Sequence, residues 1–148
     1  MRLTKATEDD LTLMMAWRSN PLLYEGFIQQ TKPLTWEEHT KWFQSRNQDW
    51  RTFTIEYEGR KIGVVTIGQL DYWEPETGVY IGETSLWGKG IAKQALNLAF
   101  EYIKNYGQKY TRTTVLDNNN RSVKLYLSLG FKRIGEARPG ESLYRKEL

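Results

Sequence analysis

Trp87-Gly88-Lys89-Gly90-Ile91-Ala92-Lys93 divides a strand-like run, Thr77 to Glu83, from the longest helical pattern in the chain. Glycine at 88 and 90 permits tight turning and lets a ligand approach bare backbone. The first N–H groups of the following helix have no partner within it and lie at the positive end of its dipole. Strand, glycine-rich turn and helix N-terminus make either an anion cradle or a plain tight turn, and the local pattern leaves both open. Two familiar phosphate motifs are excluded. There is no Gly-x-x-x-x-Gly-Lys-Ser/Thr, and Lys93 stands where Gly-x-Gly-x-x-Gly needs its third glycine.

Outward from this stretch, Ala92, Leu96, Ala99 and Ile103 recur at helical spacing, with Gly107 placed to end the helix. Thr111 to Leu116 reads as a short strand, Asn118 to Asn120 as the cap of a helix ending at Gly130, and Phe131–Ala137 and Ser142–Leu148 as two last strands. Upstream, Phe53, Ile55 and Tyr57 alternate, Glu58-Gly59-Arg60 turns the chain, and Lys61 to Leu70 continues as strand. With Thr77 to Glu83 these form an expected antiparallel meander. Two helices precede them. One opens at Thr7 and stops before Asn20-Pro21, and the other opens at the capping box Thr35-Trp36-Glu37-Glu38. Pro21 to Leu34 is left irregular. The order predicts one α/β (α+β) domain over residues 1–148, its mixed, mostly antiparallel sheet flanked by helices on both faces.

Composition narrows the chemistry. Among 148 residues there is no cysteine and one histidine, His39. Disulfides, thiolate zinc sites, iron–sulfur clusters, cysteine acyl-enzymes and multi-imidazole metal sites are all excluded, and no metal is expected. No apolar run approaches the ~20 residues of a membrane helix, and Met1 to Lys5 lacks a signal-peptide core. A soluble, cytoplasmic protein is the expectation. The net charge of +3 is spread over interleaved acidic and basic residues, so no nucleic-acid partner is expected.

The glycine-rich turn resembles the Gln/Arg-x-x-Gly-x-Gly/Ala signature of the GNAT N-acetyltransferase superfamily, with Trp87, Gly90 and Ala92 in the first, fourth and sixth places. Trp-Gly-Lys-Gly is the form it takes in the branch similar to the ribosomal-protein N-terminal acetyltransferases. Asn119 to Phe131 resembles the family's Asn-x-x-Ser-x-x-x-Tyr-x-x-x-Gly-Phe, one helix and one strand further on. The resemblance implies the GNAT fold and acetyl-CoA as co-substrate. It further implies that the pyrophosphate rests on the amides of Gly88, Lys89, Gly90, Ile91, Ala92 and Lys93 beside Trp87. The pantetheine arm would then run along Ile81 and Gly82, with Asn119 beside it. Lys89 and Lys93 either add charge toward the phosphates or are ordinary solvated lysines.

Acetyl transfer to an amine needs a proton acceptor, a stabilised oxyanion and a proton for the departing thiolate. With no cysteine and no Ser-His-Asp set, direct attack in a ternary complex is expected. Tyr126 is the acid that the resemblance implies, because a phenol of pKa ~10 keeps its proton at neutral pH. Glu76 and Glu83 are candidate bases, and a water relay could replace both. Their odd spacing puts them on opposite faces unless the strand bulges. His39 lies inside a helix, where a packing role competes with a catalytic one. Trp36, Trp42, Trp73 and Tyr24 either shape an acceptor slot or pack the core. The acceptor is then a primary amine: a small molecule, an amino sugar nucleotide or a protein N-terminus. A homodimer and a non-catalytic acyl-CoA-binding module both remain open.

Overall fold

The computed structural model describes residues 1–27, 30–45, 50–71 and 74–148. Strands β1 (Arg2–Lys5), β2 (Trp50–Tyr57), β3 (Arg60–Gly68), β4 (Glu76–Ile81), β5 (Tyr110–Leu116), β6 (Lys132–Arg138) and β7 (Glu141–Glu147) form one sheet in the order β1-β2-β3-β4-β5-β7-β6. Every neighbouring pair is antiparallel except β4 and β5. The helices are α1 (Leu11–Arg18), α2 (Pro21–Tyr24), α3 (Trp36–Gln44), α4 (Ile91–Asn105) and α5 (Asn120–Ser128).

Local chemistry accounts for most boundaries. Glu58 and Gly59 both take positive φ, 51° and 79°, which matches the twist of a two-residue hairpin between β2 and β3. Thr35 and Glu38 close the reciprocal capping box that starts α3. Two elements depart from the sequence reading. Asn20 caps α2 by accepting from Leu22 N at 3.0 Å, and Pro21 occupies the helix's first position, where its missing N–H costs nothing. Asn20-Pro21 therefore starts a helix as well as ending one. The edge strand β1, flanked by Arg2 and Lys5, is too short and too polar to show alternation.

Alternate residues of the sheet feed two faces. Ile55, Val65, Ile67 and Ile81 pack with Ile91, Ala95, Ala99 and Ile103 of α4. Leu96 and Phe100 of α4 meet Tyr126 of α5, Val115 and Tyr144 in an adjoining cluster. On the opposite face Val64 and Tyr80 meet Met14 and Trp17 of α1, Leu23 of α2, and Trp42 and Phe43 of α3. The parallel step from β4 to β5 needs a crossover, and α4 supplies it. That crossover determines where the chain opens.

Candidate active site

β4 and β5 pair at Glu76 and Arg112, with Arg112 N donating to Pro75 O at 2.9 Å, and part beyond that point. The C-terminal half of β4 keeps its bonds to β3 while its other edge lies open. A cleft of about 600 Å3 fills the gap, reaching from Val79, Tyr80 and Ile81 to the start of α4 and the start of α5. Its far wall is α2 and the residues after it, including Gly26 and Phe27.

The mouth of the cleft is the turn into α4. Gly88 and Gly90 hold φ of 79° and 76°, the left-handed region that a side chain enters only at a cost of roughly 1–2 kcal/mol. Gly90 caps α4 without any side chain, so the amides of Ile91, Ala92 and Lys93 face outward with no helical partner. Trp87 donates its indole N–H to Ile81 O at 2.8 Å, tying the turn to the end of β4. The Arg121 guanidinium lies 3.8 Å from the centroid of the Trp87 ring and lines the same cleft. A fixed cation thus joins a row of unpaired amides.

Of the residues singled out for cofactor binding, Ile81, Trp87, Gly88, Gly90, Ile91, Ala92, Lys93 and Asn119 line the cleft. Lys89 and Gly82 lie outside that lining. Gly82 is bare for a different reason: a Cβ there would stand 2.2 Å from the Trp17 ring. Asn119 caps α5 by accepting from Ser122 N at 3.2 Å and donates to Gly26 O at 3.4 Å, so it fastens one wall to the other.

The acid–base candidates are arranged differently. Tyr126 is buried and edge-on to Phe131, near Thr113 and Glu76, and lies outside the lining of the cleft. Burial pushes its phenol up to about 12, the neighbouring Thr113 opposes that and the Glu76 charge adds to it. Glu76 pairs with Arg112 at 3.5 Å. Glu83 lies past the end of β4, where the Gly82 and Glu83 amides both donate to Ile62 O, at 2.7 and 3.3 Å. That doubled contact is a bulge at the strand end; within Glu76–Ile81 the register against β3 is regular.

Of the four aromatics, Trp42 stacks on His39 with ring centroids 5.8 Å apart, and Trp36, half exposed, lies tilted to the same ring at 6.3 Å. Tyr24 is half-buried in α2. Trp73 lies outside the described residues. His39 is fully buried, and burial, then the neighbouring Arg18, hold its pKa down. Sequence reading missed Arg121, Tyr80, Phe27 and Arg18. Arg121 stood inside a quoted motif, but nothing in its spacing revealed that the first turn of α5 meets Trp87.

Comparison with known proteins bears on this geometry. The acetyltransferase (GNAT) domain family matches residues 1–132. An uncharacterized protein of Methanocaldococcus jannaschii is 45% identical over 145 residues; these cover 96% of this chain but only 30% of that relative's length. The spermidine N(1)-acetyltransferase of Escherichia coli is 25% identical over 92% of this chain and 69% of its own. Among solved structures, a domain from M. jannaschii superposes with a TM-score of 0.93 at 41% identity, over 99% of this chain and 97% of the other. Vibrio cholerae spermidine N-acetyltransferase, solved with CoA and spermine, shares the fold with a TM-score of 0.84 at 18% identity, over 99% and 94% of the two chains.

Proposed function

The chain belongs to the GNAT acetyltransferase family, and from that premise we propose that it is an acetyl-CoA-dependent N-acetyltransferase acting on a primary amine, with residues 1–148 working as one domain. The observation that carries this reading is the opening between β4 and β5, closed at its mouth by the unpaired amides of Ile91 to Lys93 and the Arg121 cation. An elongated thioester with a pyrophosphate at one end fits such a cleft: the amides and Arg121 hold the phosphates, and the open edge of β4 offers backbone groups to the amides of the arm. Acetyl-CoA would supply the activated acetyl group.

This chain's own residues do the rest. Tyr126 keeps its proton throughout the physiological range, because burial holds its pKa near 12. It is the proposed donor to the leaving thiolate. Glu76 and Glu83 remain the candidate bases, directly or through water. Glu76 is drawn into an ion pair with Arg112. Direct transfer from cofactor to amine is favoured, since no cysteine is present to form an acyl-enzyme. Acetyl-CoA use and the absence of cysteine fit a cytoplasmic location. The acceptor is read as a small molecule or amino sugar ahead of a protein N-terminus, and a homodimer is compatible with either.

The test is thiol release from acetyl-CoA in the presence of a panel of primary amines, alongside acetyl-CoA binding. Amine-dependent release supports the enzyme reading. Binding without release for any amine would favour a non-catalytic acyl-CoA-binding module.

A further inference from the structure

Arg18 ends α1 half-buried, and its Nη1 lies 3.3 Å from His39 Nδ1. Its Cζ stands 4.7 Å from the centroid of the Trp42 ring, so an aromatic face supports the guanidinium. Arginine has only donors, so this contact makes Nδ1 the acceptor and leaves the imidazole proton on Nε2. His39 is therefore a neutral brace. Tyr80 reaches the same place from β4, and its buried hydroxyl has no hydrogen-bond partner. Burial pushes the Tyr80 phenol up and the Arg18 charge opposes it, so the two groups lie within electrostatic reach. Tyr80 also lines the cleft, while Arg18, His39 and Trp42 lie outside that lining, so Tyr80 links the cluster to the cleft.

Among the described residues no carboxylate pairs with Arg18. Withdrawing a guanidinium from water without an anion is costly, and arginine stays charged at neutral pH regardless. Held by a ring face and an imidazole nitrogen, its remaining N–H fork is preorganised for the planar, two-pronged capture of a phosphate or carboxylate. The adjoining tyrosine hydroxyl is one more donor.

We propose that Arg18, with the Tyr80 hydroxyl, binds an oxyanion on the acceptor, so that the amine substrate also carries a phosphate or carboxylate group. This rests on the acetyltransferase reading and narrows its substrate class. It separates the chain from the polyamine acetyltransferases among its relatives: a polyamine brings only positive charge, which Arg18 repels.

Two measurements test it. The first saturates the protein with CoA, filling the phosphate cradle, and titrates inorganic phosphate and, separately, acetate while following the Arg18 Nε–Hε NMR signal, identified by its absence in Arg18→Gln. A saturable shift is expected. The second compares ethanolamine, O-phosphoethanolamine, β-alanine and spermidine as acceptors. An anionic amine should exceed ethanolamine in kcat/KM by about tenfold or more, the scale of one charged hydrogen-bonded contact, with spermidine poorest. Arg18→Gln should raise KM for the anionic amine by a similar factor with kcat little changed, and Arg18→Lys should lose only part. O-phosphoethanolamine ahead of β-alanine identifies phosphate, and the reverse identifies carboxylate. If Arg18→Gln fails to fold, the lysine variant and the wild-type titration still decide. An Arg18 signal unmoved by both phosphate and acetate, or a preference for ethanolamine or spermidine, overturns the proposal. Failure of the folded wild-type protein to bind acetyl-CoA overturns instead the acetyltransferase reading beneath it.

Discussion

The indole N–H of Trp87 donates to the main-chain carbonyl of Ile81 over 2.8 Å, which joins the glycine turn to the end of the strand that opens the cleft. The turn is thereby held against β4 before any ligand arrives. The same ring carries Arg121 on its face. One tryptophan thus sets both the backbone and the charge of the cradle.

Trp87→Phe keeps an aromatic surface and deletes the hydrogen bond, leaving a carbonyl on the buried Ile81 without that partner. Stability should fall by about 1 kcal/mol. Acetyl-CoA affinity should weaken several-fold, because the turn loses its anchor. Urea unfolding and calorimetric titration on the same variant check both effects; an unchanged affinity would make the bond purely structural.

Gly90 takes a left-handed conformation with nothing within 4 Å of where a Cβ would stand. Gly90→Ala should therefore cost about 1 kcal/mol from backbone strain alone. Binding should suffer more than folding, since the added methyl projects into space left for the ligand. The comparison to make is Tm against acetyl-CoA affinity for the alanine variant.

Much of this was legible from the chain. The two motifs around Gly90 and Asn119 carried the family resemblance that implied the fold, and in the structure they form a left-handed cap and a side-chain cap. The helix spans α3 and α4 followed from a capping box and from 3.6-residue periodicity. What stayed hidden depended on contacts between distant segments. Nothing in the sequence shows that Trp17 packs where a side chain at Gly82 would stand. Arg18 drew no reading from the sequence, because His39 and Trp42 meet it only in the fold. β1 gave no signal, because a four-residue charged edge strand has no pattern to read.

The pKa of Tyr126 gives a pH prediction. In the folded chain it is raised to about 12, above the ordinary 10.0. The folded state then holds a proton that the unfolded state loses, so the associated stability is intact below pH 10 and is lost as pH climbs from 10 toward 12. Tyr126→Phe should flatten this decline, which urea unfolding at several alkaline pH values will show. The same variant should lower kcat about tenfold or more while acetyl-CoA affinity holds. An unchanged kcat would leave Tyr126 a packing residue.

His39 acts in the opposite direction. Burial, then the Arg18 charge, lowers its pKa below the ordinary 6.5. The unfolded chain takes up a proton first as pH falls, so stability is full above pH 6.5 and declines below it until the folded imidazole also titrates. His39→Gln, which retains an acceptor for Arg18, should remove that acid dependence. Imidazole NMR across pH 4 to 8 reads the shift directly, and a midpoint at or above 6.5 would contradict the buried neutral brace.

The central claim is that the opening between β4 and β5, with its glycine cradle, binds acetyl-CoA. Calorimetric titration of the wild-type chain and of Gly90→Asp, with ATP and NADH as controls, tests it most directly. The account predicts selective micromolar binding of acetyl-CoA by the wild type and its loss in a folded aspartate variant, whose carboxylate would face the pyrophosphate. No binding by the folded wild-type chain, or equal binding by both, would contradict it.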